Sequence, residues 1–216
     1  MKKAVIFDLD GTLTDSLESI KVSADKAIGE FGFGPYTKEQ YKYFVGDGAD
    51  TLIERCLVAG GDKGLAYFDR AFVEYQKIFQ EYCMYRVVPY DGIKELLAAL
   101  KERGIKIAVL SNKPHERTKD VIYTLFGEGY FDVVQGQIAG MEKKPSPAGV
   151  FHILKQLELT AEDVLYLGDT GTDMQTGKSA GAVTIGALWG FREREELLEN
   201  HADYVIEKPL ELLQYV

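Results

Sequence analysis

Four short apolar runs punctuate the chain: Lys3 to Phe7 (KAVIF), Lys106 to Leu110 (KIAVL), Asp163 to Gly168 (DVLYLG) and Ala182 to Ala187 (AVTIGA). Their nearly unbroken apolar character suits strands covered on both faces of a parallel sheet, and not the alternation of a half-exposed antiparallel one. Helical patterns fill the intervals. Ile93, Leu96, Leu97 and Leu100 make one stripe within Gly92 to Gly104, where a glycine closes the helix. SPAGVFHILKQLEL puts Ser146 at the N-cap and Pro147 at the first helical position. Strands alternating with helices predict an α/β fold with right-handed crossovers. Weaker strands are expected at Val133-Val134 and at Tyr204 to Ile206.

The alternation fails from Ser16 to Arg86, where the patterns are helical throughout. TKEQ, Thr37 to Gln40, is a capping box, and ADTLIERCLVAGG is an amphipathic helix closed by Gly60-Gly61. Phe68, Phe72, Tyr75 and Phe79 follow helical spacing and are read as helix packing rather than a cofactor contact. The expected organisation is an α/β core of residues 1–15 and 87–216 carrying an all-helical insertion, residues 16–86. PYDGI, Pro89 to Ile93, marks the return to the sheet.

With 216 residues, 46% of them apolar and 27% charged, the chain has the make-up of a globular protein and enough length for a substantial core. A net charge of −9 argues against a nucleic-acid binder with a broad basic surface and favours a small substrate. Cys56 and Cys83 stand alone in helical segments, which suits reduced buried thiols better than a disulfide or a zinc site. Only four apolar residues, Ala4 to Phe7, precede Asp8, too short a run for a signal-peptide core, and no run approaches a membrane span. A cytoplasmic protein, with no membrane or nucleic-acid partner and either monomeric or homodimeric, is expected.

The polar residues at the strand ends carry the chemistry. VIFDLDGTLTDS, Val5 to Ser16, leaves an apolar strand with Asp8 and Asp10 two residues apart and then breaks at Gly11-Thr12. Buried unpaired carboxylates are costly and repel each other, so a bound cation or a reaction using both must compensate them. The second run leads into Ser111 and Asn112 of VLSNKP, and the third into Asp169 and Asp173 of GDTGTD. Neighbouring parallel strands end together at the crevice where open α/β sheets bind ligands, so these groups are expected to converge. Lys144, in EKKPSP, lies in a loop within reach of the same crevice. His115, His152 and His201 have no metal-ligand spacing and are read as surface or helix-end residues.

In order and spacing, DLDGTL, SNK, KKP and GDTGTD resemble the four motifs of the haloacid dehalogenase superfamily, and the resemblance spans the chain. It implies a Rossmann-like parallel sheet with a helical cap domain inserted after the first strand. Within the superfamily, VGDGADTLIER, LSNKP and GALWGF look most like phosphoglycolate phosphatases. The resemblance implies a phosphoric monoester hydrolase in which Asp8 is the nucleophile that forms an aspartyl phosphate and Asp10 the general acid/base. Mg²⁺ is the implied cofactor, with Asp8 and Asp169 as carboxylate ligands, Asp10 contributing its main-chain carbonyl, and Asp173 as a supporting or outer-shell group. Ser111 and Lys144 are implied phosphoryl contacts, with Lys144 also balancing Asp8; Lys144 is chosen over Lys143 because the family's lysine immediately precedes proline. Gly11 and Thr12 fit a turn whose N–H groups approach phosphate. Asn112 is a further candidate contact, and Arg55 a candidate anchor for a substrate carboxylate.

Alternatives stay open at this point: phosphatases of nucleotides, pyrophosphate or sugar phosphates, a sugar-phosphate mutase, and a non-catalytic binding module. Asp10 disfavours dehalogenase chemistry, which needs no second aspartate there, and the full set of acids disfavours the binding module.

Overall fold

Ala4, Val5, Ile6 and Phe7 have no exposed surface, and they form the inner strand β1 (Ala4–Phe7) on which the α/β layer is built. A computed structural model describes residues 2–216. By internal contact it divides into two units, Met1–Asp15 with Val88–Val216, and Ser16–Val87. After β1 come β2 (Thr14–Asp15), the helices α1 (Leu17–Gly29), α2 (Lys38–Phe44), α3 (Ala49–Ala59) and α4 (Phe68–Tyr82), and then β3 (Val88–Pro89). The chain continues through α5 (Ile93–Glu102), β4 (Lys106–Pro114), α6 (His115–Phe126), β5 (Val133–Gln137) and α7 (Ala148–Leu157). It ends with β6 (Val164–Gly168), α8 (Gly171–Ala180), β7 (Val183–Ala187), α9 (Arg194–Glu199) and β8 (Tyr204–Ile206).

Six strands form one parallel sheet in the order β5-β4-β1-β6-β7-β8, the Rossmann-like arrangement expected from the buried runs. Burying a side chain such as Val5, Ile6 or Phe7 contributes about 1.5–3 kcal/mol, which anchors the register. That register sets Phe7 beside Val109 of β4 and Leu167 of β6, so Asp8, Asp169 and the last residues of β4 lie at one edge of the sheet. On one face Ile6, Ala108, Leu110 and Tyr166 pack with Val150, Ile153, Leu154 and Leu157 of α7. β2 and β3 pair antiparallel where the chain leaves and re-enters this unit, a two-residue ribbon that no apolar pattern announces.

Several boundaries differ from expectation, and two of them bear on the site. Strand β4 does not stop at Leu110 but stays extended through Ser111, Asn112 and Lys113, with a register shift against β5 before Pro114 pairs with Gln137. Helix α7 begins at Ala148, one residue late, because the Ser146 hydroxyl bonds Glu142 (2.9 Å) as well as accepting from the Ala148 N–H (3.3 Å). Helix α5 ends as the pattern requires, with Gly104 at φ +71° beyond its last turn.

In the Ser16–Val87 unit, α1 packs on α4, and the Ser19 hydroxyl donates to Tyr82 O (2.8 Å). The TKEQ box forms, with Gln40 N–H on Thr37 Oγ1 (3.3 Å) and Thr37 N–H on Gln40 Oε1 (3.0 Å). Tyr75 and Phe79 stack and are buried, as packing residues should be. Buried Tyr41 donates to Asp25 (2.8 Å). Cys56 and Cys83 are both free thiols, and burial pushes Cys56 up to about 12. Among the described residues no helix is long and apolar enough to cross a membrane.

Candidate active site

Asp8 follows β1 and prolongs its ladder, its N–H donating to Leu167 O (2.9 Å). The chain then folds into a tight turn, with the N–H groups of Leu13 and Thr14 both on Leu9 O (3.0 Å each). Gly11 adopts φ +93°, and a Cβ built there would collide with the Asp169 carboxylate, so glycine is required on both conformational and steric grounds. The N–H groups of Gly11 and Thr12 point into the turn, to Thr14 O (2.9 Å) and Leu9 O (3.4 Å). This differs from the expected approach to phosphate, because the turn uses those donors to close itself. Thr12 instead donates its hydroxyl to Asp169 Oδ1 (2.8 Å) and accepts the Trp189 indole N–H on its carbonyl (2.9 Å).

Lys144 is buried with its Nζ 2.7 Å from Asp8 Oδ1 and 2.7 Å from Asp173 Oδ1. Asp173, on the first turn of α8, also caps that helix: its Oδ2 accepts the Thr170 N–H (3.1 Å) and hydroxyl (2.7 Å). The Tyr166 hydroxyl lies 3.4 Å from Asp173 Oδ1. Asp169 directly follows β6 and receives Phe191 N–H on Oδ2 (2.8 Å) opposite Thr12 on Oδ1. Asp8, Asp169 and Asp173 thus offer carboxylate oxygens within 4.8 Å of one another.

Burial raises the Asp8 carboxyl well above the usual carboxylate range, with the charge of Asp173 adding to it and Lys144 opposing it. Burial and then Asp173 push Asp169 up to about 7, against its hydrogen bonds from Phe191 and Thr12. For Lys144, burial works against the ammonium, but Asp173 and Asp8 outweigh it and raise it well above the ordinary lysine range. Burial, followed by the charges of Asp169, Asp15 and Asp10, raises the Tyr90 phenol above its ordinary range. Three buried carboxyl groups share one ammonium, so ionising all three together calls for a further positive charge. Buried oxygen donors of this kind fit a hard divalent cation.

Of the other candidates, Ser111 accepts the Lys113 N–H on its hydroxyl (3.1 Å). Asn112 holds the main chain of Lys144, accepting its N–H (2.8 Å) and donating to its carbonyl (3.1 Å), so its side chain serves the lysine's placement. Arg55 lies in the Ser16–Val87 unit, paired with Asp47 and donating to Phe44 O (3.0 Å). His115 starts α6 and accepts the Gly136 N–H (3.2 Å), while His152 and His201 are exposed.

Sequence reasoning did not assign roles to Lys113, Gly190 and Phe191. Lys113 binds Asp10 Oδ1 at 2.6 Å. It sits two residues after Ser111 on an extended segment, and the two-residue period of strands was the signal that placed both on one side. Gly190 has no room for a Cβ against Asp169, and Phe191 acts through its main chain, which no residue type reveals.

The profile of the family described as haloacid dehalogenase-like hydrolase matches residues 5–187. The phosphoglycolate phosphatase of Aquifex aeolicus is 34% identical over 216 residues, covering 98% of this chain and 95% of that one. The phosphoglycolate phosphatase of Vibrio parahaemolyticus is 30% identical over 225 residues, covering 99% and 96%. A crystal structure of a provisionally assigned phosphoglycolate phosphatase from Lactobacillus delbrueckii subsp. bulgaricus superposes with a TM-score of 0.92 at 28% identity, covering 100% of this chain and 98% of that one.

Proposed function

The chain belongs to the haloacid dehalogenase-like hydrolases, and from that premise we propose that it is a Mg²⁺-dependent phosphatase of small phosphate monoesters, with phosphoglycolate as the leading substrate. Its class is that of a phosphoric monoester hydrolase, as its relatives are named. The observation that carries the finer reading is Lys144 held between Asp8 and Asp173 beside Asp169, all buried at the carboxyl edge of the sheet.

In this reading the Asp8 carboxylate attacks phosphorus, and the bond to the leaving oxygen breaks as the Asp8–phosphorus bond forms. Asp10 gives that oxygen a proton and later removes one from the water that hydrolyses the phosphorylated Asp8. Lys144 and Ser111 bind the transferring oxygens, and the tie from Lys144 to Asp173 keeps the ammonium in place while Asp8 reacts. Asp8, Asp169 and the Asp10 carbonyl, with Asp173 in support, would hold the Mg²⁺, which would supply charge neutralisation at the phosphoryl group. Selection of the leaving group is assigned to the Ser16–Val87 unit, whose Arg55, paired with Asp47, is the candidate partner for the carboxylate of phosphoglycolate.

The test is phosphate release from phosphoglycolate, sugar phosphates, nucleotides and pyrophosphate, with Mg²⁺ and with chelator. A kcat/KM preference for phosphoglycolate that chelator abolishes, with Asp8→Asn inactive, is the expected result. Full turnover by Asp8→Asn would end the covalent mechanism, and unchanged phosphoglycolate turnover by Arg55→Ala would end the role given to Arg55.

A further inference from the structure

Asp8 and Asp10 are each met by a different buried lysine. Lys144 serves Asp8, and Lys113 serves Asp10 with Nζ 2.6 Å from Oδ1. The Lys113 side chain is 3% exposed, against 19% for Asp10, so the ammonium approaches the carboxylate from inside the protein. Its main chain is pinned on both sides. The N–H donates to Ser111 Oγ (3.1 Å), and the carbonyl accepts the Thr118 hydroxyl (3.1 Å). A Cβ at Gly136 would stand 2.8 Å from that carbonyl, so the neighbouring strand leaves the segment no space to shift. A buried stem on a fixed backbone places a charge far more narrowly than a surface lysine does.

We propose that Lys113 is the positioning residue for Asp10 in proton transfer to and from the reacting oxygens, an inference that rests on the phosphatase reading above. Bound through Oδ1, the Asp10 carboxyl group is kept from swinging into the Asp8, Asp169 and Asp173 cluster and stays directed at the leaving group. When the ester bond breaks, the Asp10 proton passes to the departing oxygen, and the carboxylate left behind is balanced by the Lys113 ammonium. When water attacks the phosphorylated Asp8, that carboxylate takes the water's proton and the Asp8–phosphorus bond breaks, which restores both aspartates. Lys113 keeps its own protons throughout.

The inference separates from a general structural role by leaving group. An alkyl ester such as phosphoglycolate departs as an alkoxide and needs the proton, whereas p-nitrophenyl phosphate departs as a stable phenolate and does not. The experiment compares kcat/KM, which reports the first chemical step, for wild type, Lys113→Met, Lys113→Arg, Asp10→Asn and the Lys113→Met/Asp10→Asn double variant. General acid catalysis contributes about 10²–10⁴-fold, so Lys113→Met is expected to lose about 10²-fold on phosphoglycolate and under about tenfold on p-nitrophenyl phosphate. Lys113→Arg is expected to recover part of the loss, and the double variant to be no worse than Asp10→Asn. Inhibition by inorganic phosphate is expected to be unchanged.

Equal losses on both esters, or weaker inhibition by phosphate, would overturn the inference, since Lys113 would then act on the phosphoryl group or on the fold. Full additivity in the double variant would overturn it as well. If Lys113→Met does not fold, Lys113→Gln, which keeps a donor without the charge, is read in the same way. Wild-type protein inactive on both esters overturns the phosphatase reading itself and this inference with it, so the two failures are distinguishable.

Discussion

The side chain of Asn112 grips the main chain of Lys144 on both sides, taking its N–H at 2.8 Å and giving a hydrogen bond to its carbonyl at 3.1 Å. The end of β4 thereby sets the height of the loop that carries the lysine shared by Asp8 and Asp173. In Asn112→Ala both main-chain groups lose these partners, at about 1–3 kcal/mol for each group left unsatisfied. A lower midpoint in urea and a lower kcat are the expected results, and an unchanged kcat would show that Lys144 finds its place without the clamp.

Gly190 and Gly11 both face the Asp169 carboxylate with no space for a methyl group. Gly11 also needs its left-handed backbone, but Gly190 does not, so Gly190→Ala isolates the steric effect. It is expected to displace Asp169 and weaken metal binding by about 10–100-fold, the usual scale for lost support of a metal ligand. Titration of Mg²⁺ followed by thermal unfolding measures this directly.

Asp169 is pushed up to about 7 without a cation. The fold then disfavours its ionised form, and the stability this group contributes declines as pH rises from the unfolded value of about 3.9 toward its folded one. A divalent cation favours the ionised form and reverses the trend. The rise in Tm on adding Mg²⁺ is therefore expected to be larger at pH 8 than at pH 5, and to disappear in Asp169→Asn. A rise of the same size at both pH values would show that the ion binds elsewhere.

Asp203 has the opposite sign. Burial works against its charge, but Lys178 at 2.7 Å and the Thr184 N–H at 2.8 Å outweigh it and hold the carboxyl below the usual range. Its contribution is present above the unfolded value of about 3.9 and is lost as pH falls through the folded one. Asp203→Ala leaves the buried Thr184 without these bonds, at about 1–3 kcal/mol. Urea midpoints of variant and wild type should differ at pH 7, and the difference should shrink as pH falls below the usual carboxylate range.

The strands around Asp8 and Asp169 were legible in the sequence because burial on both faces leaves an unbroken apolar run, a property read one residue after another. The acids at their ends were legible for a related reason: neighbouring parallel strands finish together, so polar residues after such runs meet at one edge. Pairing was legible only where the resemblance implied it, for Lys144 with Asp8. Lys144 is 136 positions from Asp8, Lys113 is 103 from Asp10, and Asn112 is 32 from Lys144. Only packed backbone decides which of several lysines reaches which acid, because burial leaves each charge one place where a partner compensates it. The hold on Asp169 through the Phe191 N–H and the bare face of Gly190 is more hidden still. One comes from a group that nearly every residue carries and the other from an absent side chain, so residue types alone determined where the acids gather, and the three-dimensional packing decided what holds each of them there.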